Sequence, residues 1–438
     1  MATRHLLPSL TLAPLLSALL ALGFAQSKAE RPPSQKQCKE IAAEVFTLGS
    51  RATGAARTRQ LEQLAPLTRT EDLGPRDEAK WRKELLKLWD KQPGLPFDKG
   101  DGFYWEENKR GRYIVGGKTK KPKGLMIAMH GGGVGSADAG PAAALYEPAA
   151  NELEYVMIAP QAIEATECGW TDSGTEEWVW DLVEQARRTF GVDADHVLLC
   201  GHSMGGYGSW TLGAHHADRV SALAPAAGAP SPIMELGTEK IIDLAEGVIP
   251  NLRNVPMVVY QSADDPRVPP GPNRFAAERI AAAKERWGGF EQFEYWEVNG
   301  RAHDPPEGGP QAHIARLKSL DRVPVQDTVV WQPALDWKRQ FYWLFWEKPA
   351  IGATVYARID RAANRITIDI EPAREGTQGE GLAVLLDDTL VNMEQPVTVA
   401  LNGKTVFEAV PVRRLEVLVE TALTGDPGRV YCARVPVE

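Results

Sequence analysis

The chain has 438 residues, of which 43% are hydrophobic and 24% charged, the balance of an ordinary globular protein with enough apolar residues for two or three domain cores. Its 40 glycines and 32 prolines stay below the share that marks a low-complexity chain. With 49 basic and 58 acidic residues the formal net charge is −9, which argues against a partner such as nucleic acid or an anionic membrane, since both need a basic face.

Residues 1–25 read as a secretory signal. Arg4 and His5 give a short polar start, an apolar run follows from Thr11 to Phe24, and Gly23-Phe24-Ala25 supplies small residues at a cleavage spacing. The expectation is a secreted or periplasmic protein with no membrane span after the signal is removed, because no later segment approaches ~20 apolar residues. Export permits disulfides, yet four cysteines are too few for a disulfide scaffold in a chain this long. Cys200 ends an apolar strand pattern and reads as a buried thiol, whereas Cys38, Cys168 and Cys432 suggest no pairing. There is no CxxC, HExxH, Walker or EF-hand pattern, so neither a metal nor a cofactor is implied.

Residues 26–102 read as a helical segment. Ile41, Val45 and Leu48 recur at helical spacing, as do Trp81, Leu85 and Leu88. Asp77 and Glu78 favour the first turn of the second helix, which Pro93, Gly94 and Pro96 end. Residues 103–330 alternate short apolar runs with helical stretches. Strands are predicted at 125–129, 155–159, 196–200, 220–224, 255–261 and 292–298, with helices at 176–190, 204–215 and 273–287. Such alternation means an α/β domain with a mainly parallel sheet and helices on both faces, its active site at the carboxyl ends of the strands.

Residues 331–349 hold Trp331, Trp337, Trp343 and Trp346 among the 13 tryptophans of the chain. Residues 334–346 are predicted as a connecting helix, and the aromatic stripe reads as a packed joint between domains rather than a sugar platform. Residues 350–438 carry β-rich runs separated by turns such as Asn402-Gly403, the pattern of a small β-sandwich-like module.

The chemistry concentrates between the predicted strands and helices. Gly201-His202-Ser203-Met204-Gly205 is a G-x-S-x-G elbow set between a strand and a helix, and it nominates Ser203 as a nucleophile. A serine hydroxyl needs a base. Of the eight histidines, only His303 and His313 lie far enough downstream for the order Ser, acid, His. His303 follows the strand at 292–298 directly and is preferred, while His313 reads as a helix-surface residue. The acid follows the strand at 255–261, where Asp265 is chosen for its spacing to Val268-Pro269 and Asp264 is left as a turn or capping residue. His130-Gly131-Gly132-Gly133 follows the strand at 125–129, so the amides of Gly131 or Gly132, with that of Met204, are the expected oxyanion donors. Trp170 is expected to wall the substrate pocket, with Trp178 and Trp180 in the core.

Over residues 103–320 these blocks resemble the α/β-hydrolase superfamily. "LMIAMHGGG", "VMIAPQA", "FGVDADHVLLCGHSMGGYGSW", "QSADDPRVP" and "NGRAH" occur in the order that superfamily uses. The nearest group is that of secreted polyhydroxybutyrate-depolymerase-like and feruloyl or acetylxylan-type esterases, from which Ser262 departs where glycine is commoner. The resemblance implies a serine hydrolase that cleaves a small or polymeric carboxylic ester. The elbow is equally similar to prolyl-oligopeptidase-type peptidases, but about 75 helical residues stand where those carry a propeller. A polysaccharide-binding protein without catalysis is the remaining alternative. Nothing in the sequence sets an oligomeric state.

Overall fold

The computed structural model describes residues 31–372 and 381–437; the proposed signal lies outside them. Three helices come first: α1 (Gln35–Leu48), α2 (Gly54–Leu64) and α3 (Pro75–Asp90). Ser34 and Gln37 form a capping box on α1, and Pro75 with Asp77 and Glu78 suits the first turn of α3. Cys38, Ala42 and Val45 of α1 and Trp81, Leu85 and Trp89 of α3 are buried, as a 3–4 spacing of apolar residues requires.

Eight strands then build one sheet: β1 (Gly100–Trp105), β2 (Arg110–Gly117), β3 (Leu125–Met129), β4 (Val156–Pro160), β5 (Val197–His202), β6 (Ala222–Ala226), β7 (Met257–Ser262) and β8 (Phe293–Val298). Their order is β1-β2-β4-β3-β5-β6-β7-β8. β2 runs antiparallel to both neighbours, and the others are parallel. The intervening helices are α4 (Ala139–Leu153), α5 (Thr175–Phe190), α6 (Met204–His215) and α7 (Gly271–Trp287). The central strands bury both faces, so side chains alternate between two cores. Met126 and Ala128 face α4, whereas Leu125, Ile127 and Met129 face the core that holds α5 and α6. This is the α/β-hydrolase architecture, a mainly parallel sheet covered on both sides. α4 and the leading strands β1 and β2 had no counterpart among the predicted elements.

The predicted connecting helix at 334–346 does not exist. Gln340–Phe341 and Leu344–Trp346 are short strands paired through a tight turn at Tyr342, which takes φ 49°. A continuous aromatic run has no period that separates helix from strand, and here both faces are buried. The aromatics nevertheless pack a joint: Trp331, Trp343 and Trp346 are buried, and Trp331 lies edge-on to Trp346 at 6.1 Å. Nor do residues 331–349 stand apart from the β module. Thr328–Trp331 pairs with Thr354–Asp360 in a five-stranded sheet, and Leu344–Trp346 pairs with Leu382–Leu386 in a four-stranded one. A helix at Leu415–Thr421 completes this part.

The three parts are joined by buried polar contacts as well as by apolar packing. Arg187 of α5 donates to the carbonyls of Thr424 and Gly425 at 3.1 and 3.0 Å. The Trp89 indole donates to the carbonyl of Leu423 at 3.2 Å. Arg322 pairs with Asp195 and Asp426 at 2.6 and 2.8 Å. All four cysteines are free thiols, and Cys200 is buried as expected. Among the described residues no helix is long and apolar enough to cross a membrane.

Candidate active site

β5 ends where α6 begins, so one residue must turn the chain. Ser203 makes that turn at φ 60° and ψ −123°, a backbone state that costs about 1–3 kcal/mol outside glycine. Its surroundings hold the strain. The Ser203 N–H donates to the carbonyl of Ala226 at 2.9 Å, and its own carbonyl accepts from Tyr207 N–H at 3.1 Å. A Cβ at Gly201 would overlap the Gly205 backbone, and one at Gly205 would overlap the Met129 carbonyl. Glycine at both positions lets β3, β5 and α6 close together beneath the serine.

β7 and β8 pair in parallel, which sets the loops after them side by side. Asp265 Oδ1 accepts from the N–H groups of Arg267 and Val268 at 2.8 and 3.0 Å. Its Oδ2 lies 2.7 Å from His303 Nδ1, and His303 Nε2 lies 2.9 Å from Ser203 Oγ. A carboxylate only accepts, so Nδ1 carries the proton and Nε2 turns its lone pair to the serine hydroxyl. The Asp265 side chain is fully buried, while that of His303 keeps 13% exposure.

Asp264 supports the same loop from its other side. Its Oδ1 accepts from Ser262 Oγ at 2.5 Å, from Gly300 N–H at 3.0 Å and from Ala302 N–H at 3.3 Å. The Ser262 hydroxyl and then these amides hold its carboxyl below the ordinary range. Ser262 Oγ also accepts from Arg301 N–H at 3.2 Å, so Ser262 helps to carry the His303 loop. His313 is not at the surface. It is buried beneath β7 in a helix at Gly309–Ile314, with Nε2 2.8 Å from the Val258 carbonyl, and burial pushes its imidazole down to about 4.

The glycine loop after β3 borders Ser203. A Cβ at Gly131 would lie 3.1 Å from that of Ser203. Gly132 takes φ 150° and leads into a ribbon pairing Gly132–Gly133 with Ser136–Ala137. Met204 opens α6, where its N–H has no acceptor within the helix and the helix N-terminus favours negative charge. His130 braces the loop: Nδ1 lies 2.7 Å from the Gly131 carbonyl, and Nε2 accepts from Ala162 N–H at 3.0 Å. That pattern requires the neutral tautomer protonated at Nδ1, and burial holds its pKa below the usual value.

Trp170 does not wall the pocket. It is fully buried behind the loop, where its indole N–H donates to the His130 carbonyl at 3.2 Å and its ring packs 4.8 Å from that of His130. Its place after β4 put it near the site, but not on the side that faces the cleft. Trp178 and Trp180 are buried as expected.

Above Ser203 opens a cleft of about 690 Å³, lined by Val134, Met204, Tyr207, Pro232, Val268 and Pro269, with Glu167 and Arg267 also on its walls. Tyr207 lies inside the elbow block and could have been found there. The hairpin of Pro232–Met234 and Ile241–Leu244 at the rim carries too weak a strand pattern to be read from sequence. His202 sits with its ring 4.9 Å from that of His303. Burial, then the neighbouring imidazole, pushes His202 down to about 4, so it stays neutral near pH 7.

Neither a family model nor a curated protein matches the chain. Solved structures do resemble it. A thermostable esterase is 18% identical with a TM-score of 0.35, covering 46% of this chain and 54% of its own. The chain thus spans little more than half of that esterase. A poly(3-hydroxybutyrate) depolymerase from Bordetella parapertussis is 20% identical with a TM-score of 0.35, covering 47% of this chain and 86% of its own. A ferulic acid esterase from Anaeromyces mucronatus is 14% identical with a TM-score of 0.35, covering 52% of this chain and 93% of its own.

Proposed function

We propose that the protein is an exported serine hydrolase that cleaves carboxylic esters through Ser203, His303 and Asp265. The observation that carries this reading is the unbroken chain of contacts from Asp265 Oδ2 through the His303 ring to Ser203 Oγ, at 2.7 and 2.9 Å. Ser203 Oγ attacks the ester carbonyl while His303 Nε2 takes its proton. The oxyanion forms against the amides of Met204 and Gly131 or Gly132, each such donor being worth about 10²–10³ in turnover. Asp265 stabilises the imidazolium, which then gives its proton to the leaving alcohol. Water attacks the acyl-enzyme with His303 as base, and Ser203 is regenerated. Neutral His202 suits this cycle, because no fixed positive charge beside His303 opposes its protonation. The open rim leaves room for the rest of a large or polymeric ester, and the signal at residues 1–25 would put the enzyme among such substrates outside the cytoplasm.

The test is a panel of short p-nitrophenyl esters and peptide anilides assayed with the wild-type chain and with Ser203→Ala. Ester turnover is expected, with kcat falling by about 10⁴-fold or more in the variant while its circular dichroism is unchanged. A fluorophosphonate should label Ser203. Faster cleavage of the anilides would move the reading to a peptidase, and a wild-type chain that neither turns over esters nor takes the label would leave a binding protein.

A further inference from the structure

A second polar site, which shares no lining residue with the cleft, lies where the helical prefix, the large-sheet domain and the β module meet. A narrow crevice of about 50 Å³ opens there, lined by Arg57, Arg219, Lys338, Arg339 and Arg429 against Glu420 as the one lining carboxylate. That volume exceeds the roughly 10–15 Å³ one water needs and is small for a large organic group. The cations do have partners, but they share them. Asp218 pairs with both Lys338 and Arg429, at 2.8 and 2.9 Å. Glu347 pairs with both Arg57 and Arg339, at 2.5 and 3.3 Å. Glu420 serves both Arg57 and Arg434, and Glu184 serves both Arg219 and Arg51, the latter also paired with Asp181.

Sharing leaves donors unused. The Arg429 side chain is 3% exposed, and its Nε and Nη1 have no hydrogen-bond partner. His216, fully buried on the crevice wall, has no hydrogen-bond partner at Nδ1, while its Nε2 lies 3.2 Å from Glu176 Oε1. Buried donors without acceptors are costly, and a guanidinium more so than a neutral group. Burial pushes the Arg429 guanidinium below its ordinary range, against Asp218, which acts the other way.

We infer that this crevice is a binding site for a small monovalent inorganic anion of the halide class, held by the unpartnered Nη1 of Arg429 with Lys338 and Arg219 close by. A chloride-sized ion fits the volume, needs only donors, and would give the surplus cations a common counter-charge. Because the crevice is lined from all three parts of the chain, with Arg57 from the prefix, Arg219 from the large-sheet domain and Lys338 and Arg429 from the β module, the bound anion would act as a structural pin rather than as a participant in ester cleavage. This inference is independent of the proposed hydrolase activity.

The experiment uses the full chain without its signal. Crystals soaked in bromide are expected to show an anomalous peak within hydrogen-bond reach of Arg429 Nη1. In solution, chloride should raise Tm saturably, by about 2–4 °C, where gluconate at equal ionic strength does not. Arg429→Met should abolish the difference between the two salts. If that variant fails to fold, the bromide peak in the unmodified protein still decides. No anomalous density in the crevice, with chloride and gluconate acting alike on Tm, would mean that it holds water only and would overturn the inference.

Discussion

Asp264 and Asp265 are adjacent acids with different partners, and the difference sets what each substitution should do. Asp265 offers one oxygen to two backbone amides and the other to His303. Asp265→Asn would keep the shape, but its amide group can donate to His303 and favour the wrong tautomer, so kcat for a p-nitrophenyl ester should fall by about 10⁴-fold with little change in Tm. Asp264 never reaches the imidazole; it ties Ser262 to the amides of Gly300 and Ala302. Asp264→Ala should instead lower Tm by a few degrees and kcat by about tenfold at most, through looser placement of His303. Equal losses of kcat in the two variants would contradict this division. The spacing to Val268 singles out Asp265 in the sequence because the carboxylate must fold back onto amides two and three residues on. The burial of Trp170 and His313 was not legible in the same way, since which side of a turn an aromatic ring takes depends on the layer packed behind it.

Among the elements, the turn between β5 and α6 is the most constrained. Its glycines answer to contacts from different strands: Gly205 backs onto the Met129 carbonyl of β3, while Gly133, on the loop beside it, has open space where a Cβ would go. Gly205→Ala should therefore force β3 and α6 apart at an overpacking cost of about 1–3 kcal/mol or more, seen as a Tm drop of several degrees with loss of ester turnover. Gly133→Ala should leave Tm within about 1 °C of wild type. A Gly205→Ala protein with unchanged Tm would show that the elbow is not close-packed. Such local rules are why the elbow was readable: strand, tight turn and helix each leave a signature within a dozen residues. The run from Gln340 to Trp346 has no such signature. Its strand identity comes from pairing with Leu382–Leu386, some forty residues on, and the helix expected from its aromatic composition fails for that reason.

At the scale of the whole molecule, the three parts are held by carboxylates that are buried and charged. Glu184, flanked by Arg51 and Arg219, is held down at about 2 despite its burial. Asp218, Glu420 and Asp426 are also held below the ordinary carboxylate range by the Arg and Lys side chains aimed at them, against burial, which acts the other way. Unfolded, these groups titrate near 4. Between about pH 4 and pH 2 the unfolded chain thus binds more protons than the folded one, so the stability these carboxylates supply is present above about pH 4 and is lost as pH falls through their folded values. Glu184, held at about 2, contributes roughly 2–3 kcal/mol, and Asp218, Glu420 and Asp426 act in the same direction. Scanning calorimetry should show Tm falling already below about pH 6.5, where the unfolded chain protonates imidazoles that His202 and His313 keep neutral down to about 4, and falling further as these carboxylates titrate, by more than about 10 °C in all by pH 3. Because the pairs run from prefix to module and from the large-sheet domain to module, tryptophan fluorescence and ester turnover should be lost together in one transition. A β module that melts at pH 3 while turnover survives would mean that the joint is not what holds the eight-stranded sheet in place.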